Sequence, residues 1–176
     1  MNARPLVPLL VVATLAGCAS LSQTECAGAD WEQIGYRDGA AGYSARRLES
    51  HRQACAEYGI DIDADTWQAG YDQGIDAYCT PANAVRAGLS GGGYTGVCPG
   101  EAGRVFANYF GAARAVYEQR QRVASLEQQR RMLKQQLDDA ETDQQRQDLR
   151  YELRRLDNVL FNEMDRLRYA ESRLVY

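Results

Sequence analysis

The segment 104–176 constrains the fold most, because its composition leaves long helices as its main option. It contains no proline, and Gly111 is its only glycine. Apolar residues recur in it at the a and d spacing of a heptad, which predicts helices packed along an apolar seam. One set comprises Val116, Val123, Leu126, Leu133, Leu137 and Ala140; a second comprises Leu149, Leu153, Leu156, Leu160, Leu167, Ala170 and Leu174, interrupted by Glu163.

A turn is expected where these two sets meet. Leu137 and Leu153 are 16 residues apart, which puts the sets out of register by two residues. Thr142 and Gln145 have the spacing of a capping box at the start of a helix. We therefore predict a tight turn near 139–142 and a helical hairpin over 104–176. One long helix that forms a parallel coiled-coil dimer is the alternative.

The N-terminus has the proportions of a lipoprotein signal peptide. The apolar stretch 6–15 follows Arg4 and is too short to span a membrane, and Leu15-Ala16-Gly17-Cys18 reads as a bacterial lipobox. We expect residues 1–17 to be removed, Cys18 to be lipidated, and 18–25 to form a lipidated linker. An ordinary secretory peptide with a cysteine at its cleavage site is the alternative.

Location follows from the residues after the lipobox. Ala19 and Ser20 follow Cys18, where an Asp would favour retention in the inner membrane. We expect a lipid anchor in the outer membrane, on its periplasmic face.

The distribution of charge excludes nucleic acid as a partner. Segment 18–103 holds 5 Arg and 12 acidic residues, and 104–176 holds 14 Arg or Lys and 12 acidic residues. Neither segment has the concentrated basic character of a nucleic-acid binder.

Four cysteines remain once Cys18 carries lipid, and an oxidising periplasm favours two disulfides between them. Three pairings are possible. If 30–43 and 45–58 form an antiparallel helix pair, the second helix returns Cys55 to the neighbourhood of Cys26, which leaves Cys79 for Cys98. The latter bond would pin the glycine-rich loop 88–100. We therefore predict a stapled helical domain over 26–103.

A loose duplication runs through this domain. Gly35-Tyr36-x-x-Gly39 recurs 35 residues later as Gly70-Tyr71-x-x-Gly74, and Trp31 and Trp67 precede the two copies. Glycines four residues apart share one helix face and are costly in a helix, so close helix packing is the first interpretation. The second is a ligand surface of Trp31, Tyr36, Trp67 and Tyr71 that stacks on a sugar or a peptide.

Candidate metal and catalytic sites are weak. Asp61, Asp63 and Asp65 begin like a calcium loop, but the required glycine and glutamate are missing, so Asp63 or Asp65 is better explained as a helix cap. His51 is the only histidine, which argues against zinc although Cys55 lies one turn away. His51 with a nearby Asp could act in hydrolysis, but a lone histidine is more often structural. We expect no metal, no cofactor and no enzymatic activity.

The motifs together resemble the bacterial domain-of-unknown-function family 2799 over roughly residues 26–120. Those that carry the resemblance are the lipobox, Asp30-Trp31, the two glycine motifs, His51-x-x-x-Cys55, Tyr78-Cys79 and Tyr94-x-Gly96-Val97-Cys98-Pro99. The resemblance implies an exported envelope protein with a helical tail and no known activity. We expect a non-catalytic module that binds or scaffolds an envelope protein partner, or that self-associates through 104–176. Glycan or peptidoglycan binding by the Trp/Tyr surface is the alternative.

Overall fold

The computed structural model describes residues 20–174, in which all regular structure is helical. The predicted signal peptide and the first two residues of the predicted linker, Cys18 and Ala19, lie outside this range. The helices are α1 (Gln23–Ala27), α2 (Trp31–Ala40), α3 (Arg47–Ala56), α4 (Ala64–Tyr78), α5 (Pro81–Leu89), α6 (Gly100–Asp138) and α7 (Asp143–Ser172). The predicted mainly helical fold is confirmed. None of these helices is long and apolar enough to cross a membrane.

The repeated glycines bring the backbones of α2 and α4 into contact. A Cβ at Gly35 would lie 2.0 Å from the carbonyl oxygen of Trp67, and one at Gly70 would lie 1.9 Å from that of Glu32. The second glycine of each copy makes the equivalent approach one turn later, so the two helices run in the same direction. Close helix packing, the first interpretation of the duplication, is what the glycines provide.

The helix α3 connects the parallel pair and does not itself pair with α2. The antiparallel pair of 30–43 and 45–58, which was the condition for the inferred cysteine pairing, does not form: the extensive partner of α2 is α4. The physical reason is that the glycine face of α2 meets an equally narrow face on α4, which α3 does not offer. Cys26 and Cys55 nevertheless form a disulfide that links α1 to α3.

A second small core joins α5 to the start of α6. The Cys79–Cys98 disulfide closes the glycine-rich loop, and Phe106 is buried with Cys98 and Ala84. Thus the structure has the cysteine pairing that the sequence favours. The helix α6 already begins at Gly100 and is continuous past residue 104, so its first turns belong to this core and the predicted boundary at 103/104 does not coincide with a structural break.

The C-terminal part is a helical hairpin, as predicted. The chain turns at 139–142, and Thr142 with Gln145 forms the expected capping box. Two charged pairs lie across the antiparallel helices: Arg130 Nε is 2.8 Å from Asp157 Oδ1, and Arg120 Nη2 is 2.7 Å from Glu171 Oε1. Glu163, the interruption in the heptad, is accommodated in the seam because Gln119 donates to its carboxylate at 2.6 Å.

Candidate functional site

The predicted ligand surface of Trp31, Tyr36, Trp67 and Tyr71 does not exist as an exposed surface. Trp67 is 0% exposed and Tyr71 is 6% exposed, and their rings stack on each other at 4.7 Å inside the core. Only Tyr36 is exposed, while Trp31 is half-buried. The correction has a simple cause: the stripe that continues from Trp67 and Tyr71 to Ile75 faces the first core, so these aromatic side chains stabilise the fold.

Asp38 lies at the centre of a buried polar cluster. The sequence suggested that His51 has a nearby Asp, but it did not identify Asp38 or the other members of the cluster. Its Oδ2 accepts a hydrogen bond from Trp67 Nε1 at 3.0 Å and lies 2.8 Å from His51 Nε2. On the other side of the imidazole, Nδ1 lies 2.9 Å from Ser20 Oγ. Arg47 Nε adds a weaker ion pair at 3.8 Å from Asp38 Oδ1. We name Ser20, Asp38, His51 and Trp67 the anchor cluster.

The order hydroxyl, imidazole, carboxylate in the anchor cluster is also found in hydrolytic sites, where the imidazole acts as a base. Here His51 is 2% exposed and both ring nitrogens are occupied. The arrangement satisfies three buried polar groups at once, which makes it a structural connection between the N-terminal segment, α2, α3 and α4.

The N-terminal segment after Ser20 is fastened to the domain at several points. Leu21 is buried in the first core, and Ser22 caps α1 reciprocally with Glu25. The hydrogen bonds from the backbone and side chain of Ser22 lower the pKa of the Glu25 carboxyl. One turn later, Cys26 continues into its disulfide with Cys55. The predicted linker over 18–25 is therefore folded from Ser20 onward.

The calcium and zinc candidates do not assemble into metal sites among residues 20–174. Asp63 is the N-cap of α4: its Oδ1 accepts from the Thr66 amide at 3.0 Å and its Oδ2 from the Thr66 hydroxyl at 2.7 Å. These hydrogen bonds lower the pKa of Asp63. Of the two caps considered for this helix, Asp63 is thus the one used, and Asp65 lies in the first turn.

An apolar groove runs along one side of the hairpin. Its first section has a volume of about 440 Å³ between Leu126 and Val159, and the next, of about 260 Å³, continues from Val159 past Leu133 and Leu156. Arg122, Glu152, Arg155 and Glu163 form its charged rim. We call the four apolar residues and this rim the hairpin groove.

The hairpin groove lies away from the disulfide-stapled part. Tyr117 packs over Gly91 of the glycine-rich loop, and Arg114 donates to the carbonyl oxygens of Gly91 and Gly92. Beyond Tyr117, α6 continues for about 30 Å to its end at Asp138, paired with α7. The heptad spacing predicts that these leucines lie in a seam, but it does not determine which flank of the seam is accessible.

Residues 30–115 match the model of a protein family described as "Protein of unknown function (DUF2799)". Over these residues the chain belongs to the DUF2799 family. The match includes the parallel pair α2 and α4, both disulfide-forming cysteines of the second core, and the part of α6 that packs on α5. It stops before the hairpin groove, which therefore lies outside the DUF2799 match. No curated protein and no solved structure matches the chain.

Proposed function

We propose that this protein is a lipid-anchored envelope protein that binds another protein through its hairpin groove and catalyses no reaction. The lipobox at Cys18 and the two disulfides support the envelope location, because disulfides persist in oxidising compartments. The anchor cluster joins four segments of the fold through buried hydrogen bonds, which supports a structural role for His51. In this proposal, the stapled domain connects the membrane anchor to an arm that reaches away from it.

The hairpin groove is the observation that carries the proposal. A two-helix arm buries one seam, so the apolar residues that flank the seam remain open to a third helix. Val159 is 47% exposed and borders both sections of the groove. An apolar strip rimmed by charges of both signs is the arrangement by which an amphipathic helix is bound in a groove.

The test is photo-cross-linking in intact cells. A photoreactive residue at Ser125 or Val159 faces the hairpin groove, and one at Tyr151 is a matched control because Tyr151 is exposed elsewhere on α7. We expect adducts from the two groove positions and none from Tyr151. Val159→Glu should abolish the adduct formed from Ser125. An adduct of twice the chain's mass would identify a second copy as the partner.

Adducts that form equally from Tyr151 and Val159, or from none of the three positions, would refute binding in the hairpin groove. Envelope location is tested separately by the mass of the mature N-terminus. Replacing Cys18 with serine should move the chain from the membrane fraction to the soluble periplasm. If the unaltered chain carries no lipid, the anchor is wrong even when groove adducts form.

A further inference from the structure

The point where the chain would leave the membrane is close to α3. Ser20 Oγ lies 2.9 Å from Nδ1 of His51, which is a residue of α3, and Leu21 is buried beside it in the first core. Cys18 precedes Ser20 by two residues, and two residues span at most about 7 Å. If Cys18 is lipidated, as proposed above, the acyl chains begin within that distance of Ser20. No flexible spacer then separates the domain from the lipid surface.

The basic residues of the stapled domain lie at this same place. Segment 18–103 contains five arginines, and four of them fall between residues 37 and 52. Arg37 is exposed on α2, Arg46 and Arg52 are exposed at the start and on the outside of α3, and Arg47 is partly exposed. Glu49 offsets part of this charge through its ion pair with Arg52. Among residues 20–174, Arg46 and Arg37 form none of the ion pairs within 4 Å, although the hydrogen bonds from Ser22 and, to a lesser extent, the Arg37 guanidinium lower the pKa of Glu25.

Segment 37–52 holds two acidic residues, Asp38 and Glu49, and the other ten acidic residues of 18–103 lie outside it. Five aspartates occupy α4 and the segment that leads into it: Asp61, Asp63, Asp65, Asp72 and Asp76. Although the domain as a whole is acidic, segment 37–52 thus has a net charge of +2, from four arginines and two acidic residues. Tyr43 adds an exposed aromatic ring there, with the Arg47 guanidinium 5.0 Å from its centroid. Tyrosine is enriched at the interface between membrane and water.

We propose that α3 lies on the anionic phospholipid surface in which Cys18 is anchored. The residues that contact this surface are Arg37, Tyr43, Arg46, Arg47 and Arg52. The short distance from Cys18 to Ser20 brings this face to the membrane, and its charge matches anionic headgroups. Such docking fixes the orientation of the domain relative to the bilayer, and it therefore also fixes the direction in which the hairpin extends. The proposal depends on lipidation of Cys18, which is part of the proposed function.

The experiment uses the full-length mature protein, purified from membranes and reconstituted into phosphatidylcholine vesicles with or without phosphatidylglycerol. Hydrogen exchange, followed by mass spectrometry, is compared for peptides from 44–56 and from 143–172. We expect exchange in 44–56 to be slower on the anionic vesicles, and this protection to disappear at high salt. Exchange in 143–172 should be the same on both kinds of vesicle.

Charge reversal supplies the matched comparison. Each arginine near an anionic surface strengthens docking about fivefold, so Arg46→Glu with Arg52→Glu should weaken it by at least about 25-fold and remove the protection. Arg150→Glu with Arg154→Glu makes the same change of charge on the exposed surface of α7 and should leave the protection intact. If the reversed variant loses helicity, the neutral pair Arg46→Gln and Arg52→Gln replaces it.

Two outcomes overturn the proposal in distinguishable ways. A mature chain without lipid on Cys18 overturns both this docking and the proposed anchor. A lipidated chain whose 44–56 exchange is identical on both kinds of vesicle overturns the docking alone. The same holds if the α7 variant loses protection as much as the α3 variant does, because net charge would then be responsible.

Discussion

Replacing Gly70 with alanine tests the parallel packing of α2 and α4 directly. The new Cβ would lie 1.9 Å from the carbonyl oxygen of Glu32, whereas ordinary contact begins at 3.4 Å, so the two backbones must separate by about 1.5 Å. Overpacking typically lowers the free energy of unfolding by about 1–3 kcal/mol. We expect a value near the upper end, because the atoms that the new Cβ would meet belong to the backbone. The higher helix propensity of alanine relative to glycine offsets about 1 kcal/mol of this loss. The expected net loss is about 2 kcal/mol of the free energy of unfolding.

Thermal unfolding, followed by tryptophan fluorescence, measures this loss because Trp31 and Trp67 both lie in the α2 and α4 pair. The midpoint should fall by about 4–8 °C. Gly111→Ala is the matched control: nothing lies within 4 Å of its Cβ position, so only the propensity gain of about 1 kcal/mol remains. If Gly70→Ala were as stable as the unaltered chain while Gly111→Ala behaved as expected, the glycine-mediated contact would be refuted.

Four further predictions concern stability. Asp38→Ala should cost about 1–3 kcal/mol for each buried donor left without an acceptor, and Asp38→Asn, which keeps an acceptor, should cost less in urea unfolding. Thr142→Ala should lower hairpin stability by about 1 kcal/mol in thermal melts followed by circular dichroism. Replacing Cys26 and Cys55 with serine should lower the free energy of unfolding by about 3–4 kcal/mol. A reductant should then lower the stability of this variant only by breaking the Cys79–Cys98 disulfide. Burial raises the pKa of Tyr71, so its stabilising contribution is complete below about pH 10 and is lost as the pH rises through the folded-state pKa; Tyr71→Phe should reduce this alkaline loss.

The hairpin was predictable because its signals are local. A register mismatch and a capping box at Thr142 lie within a few residues of each other, and together they specify an interruption followed by a helix start. The glycine spacing likewise indicated close approach. The glycine spacing did not identify the partner helix, because a narrow helix face can pack against any other narrow helix face. The choice of α4 over α3 depended on contacts between residues about 35 positions apart.

The anchor cluster and the aromatic residues were harder to predict for two different reasons. Asp38 meets His51 and Trp67 only after three helices have packed, and no local pattern links these residues. The burial of Trp67 did have a signal that was missed: Trp67, Tyr71 and Ile75 follow each other at intervals of four, which is the spacing of an apolar helix stripe. Residue type alone had suggested an exposed stacking surface.

The repeated glycine motifs account for the pairing of α2 with α4, whereas the segments outside the repeat make the two sides of this pair different. Tyr36 and Tyr71 occupy the same position in the two copies, yet Tyr36 is 44% exposed and Tyr71 is buried, with its hydroxyl donating to the Tyr43 carbonyl oxygen at 2.7 Å. The segment between the copies therefore covers one side of the helix pair and leaves the equivalent side open. Asp38 and Trp67 come from different copies and meet on the covered side, where α3 adds His51. Ser20 of the N-terminal segment also contacts the His51 imidazole on that side. The pair of α2 and α4 therefore has one side near the proposed anchor and an opposite side away from it.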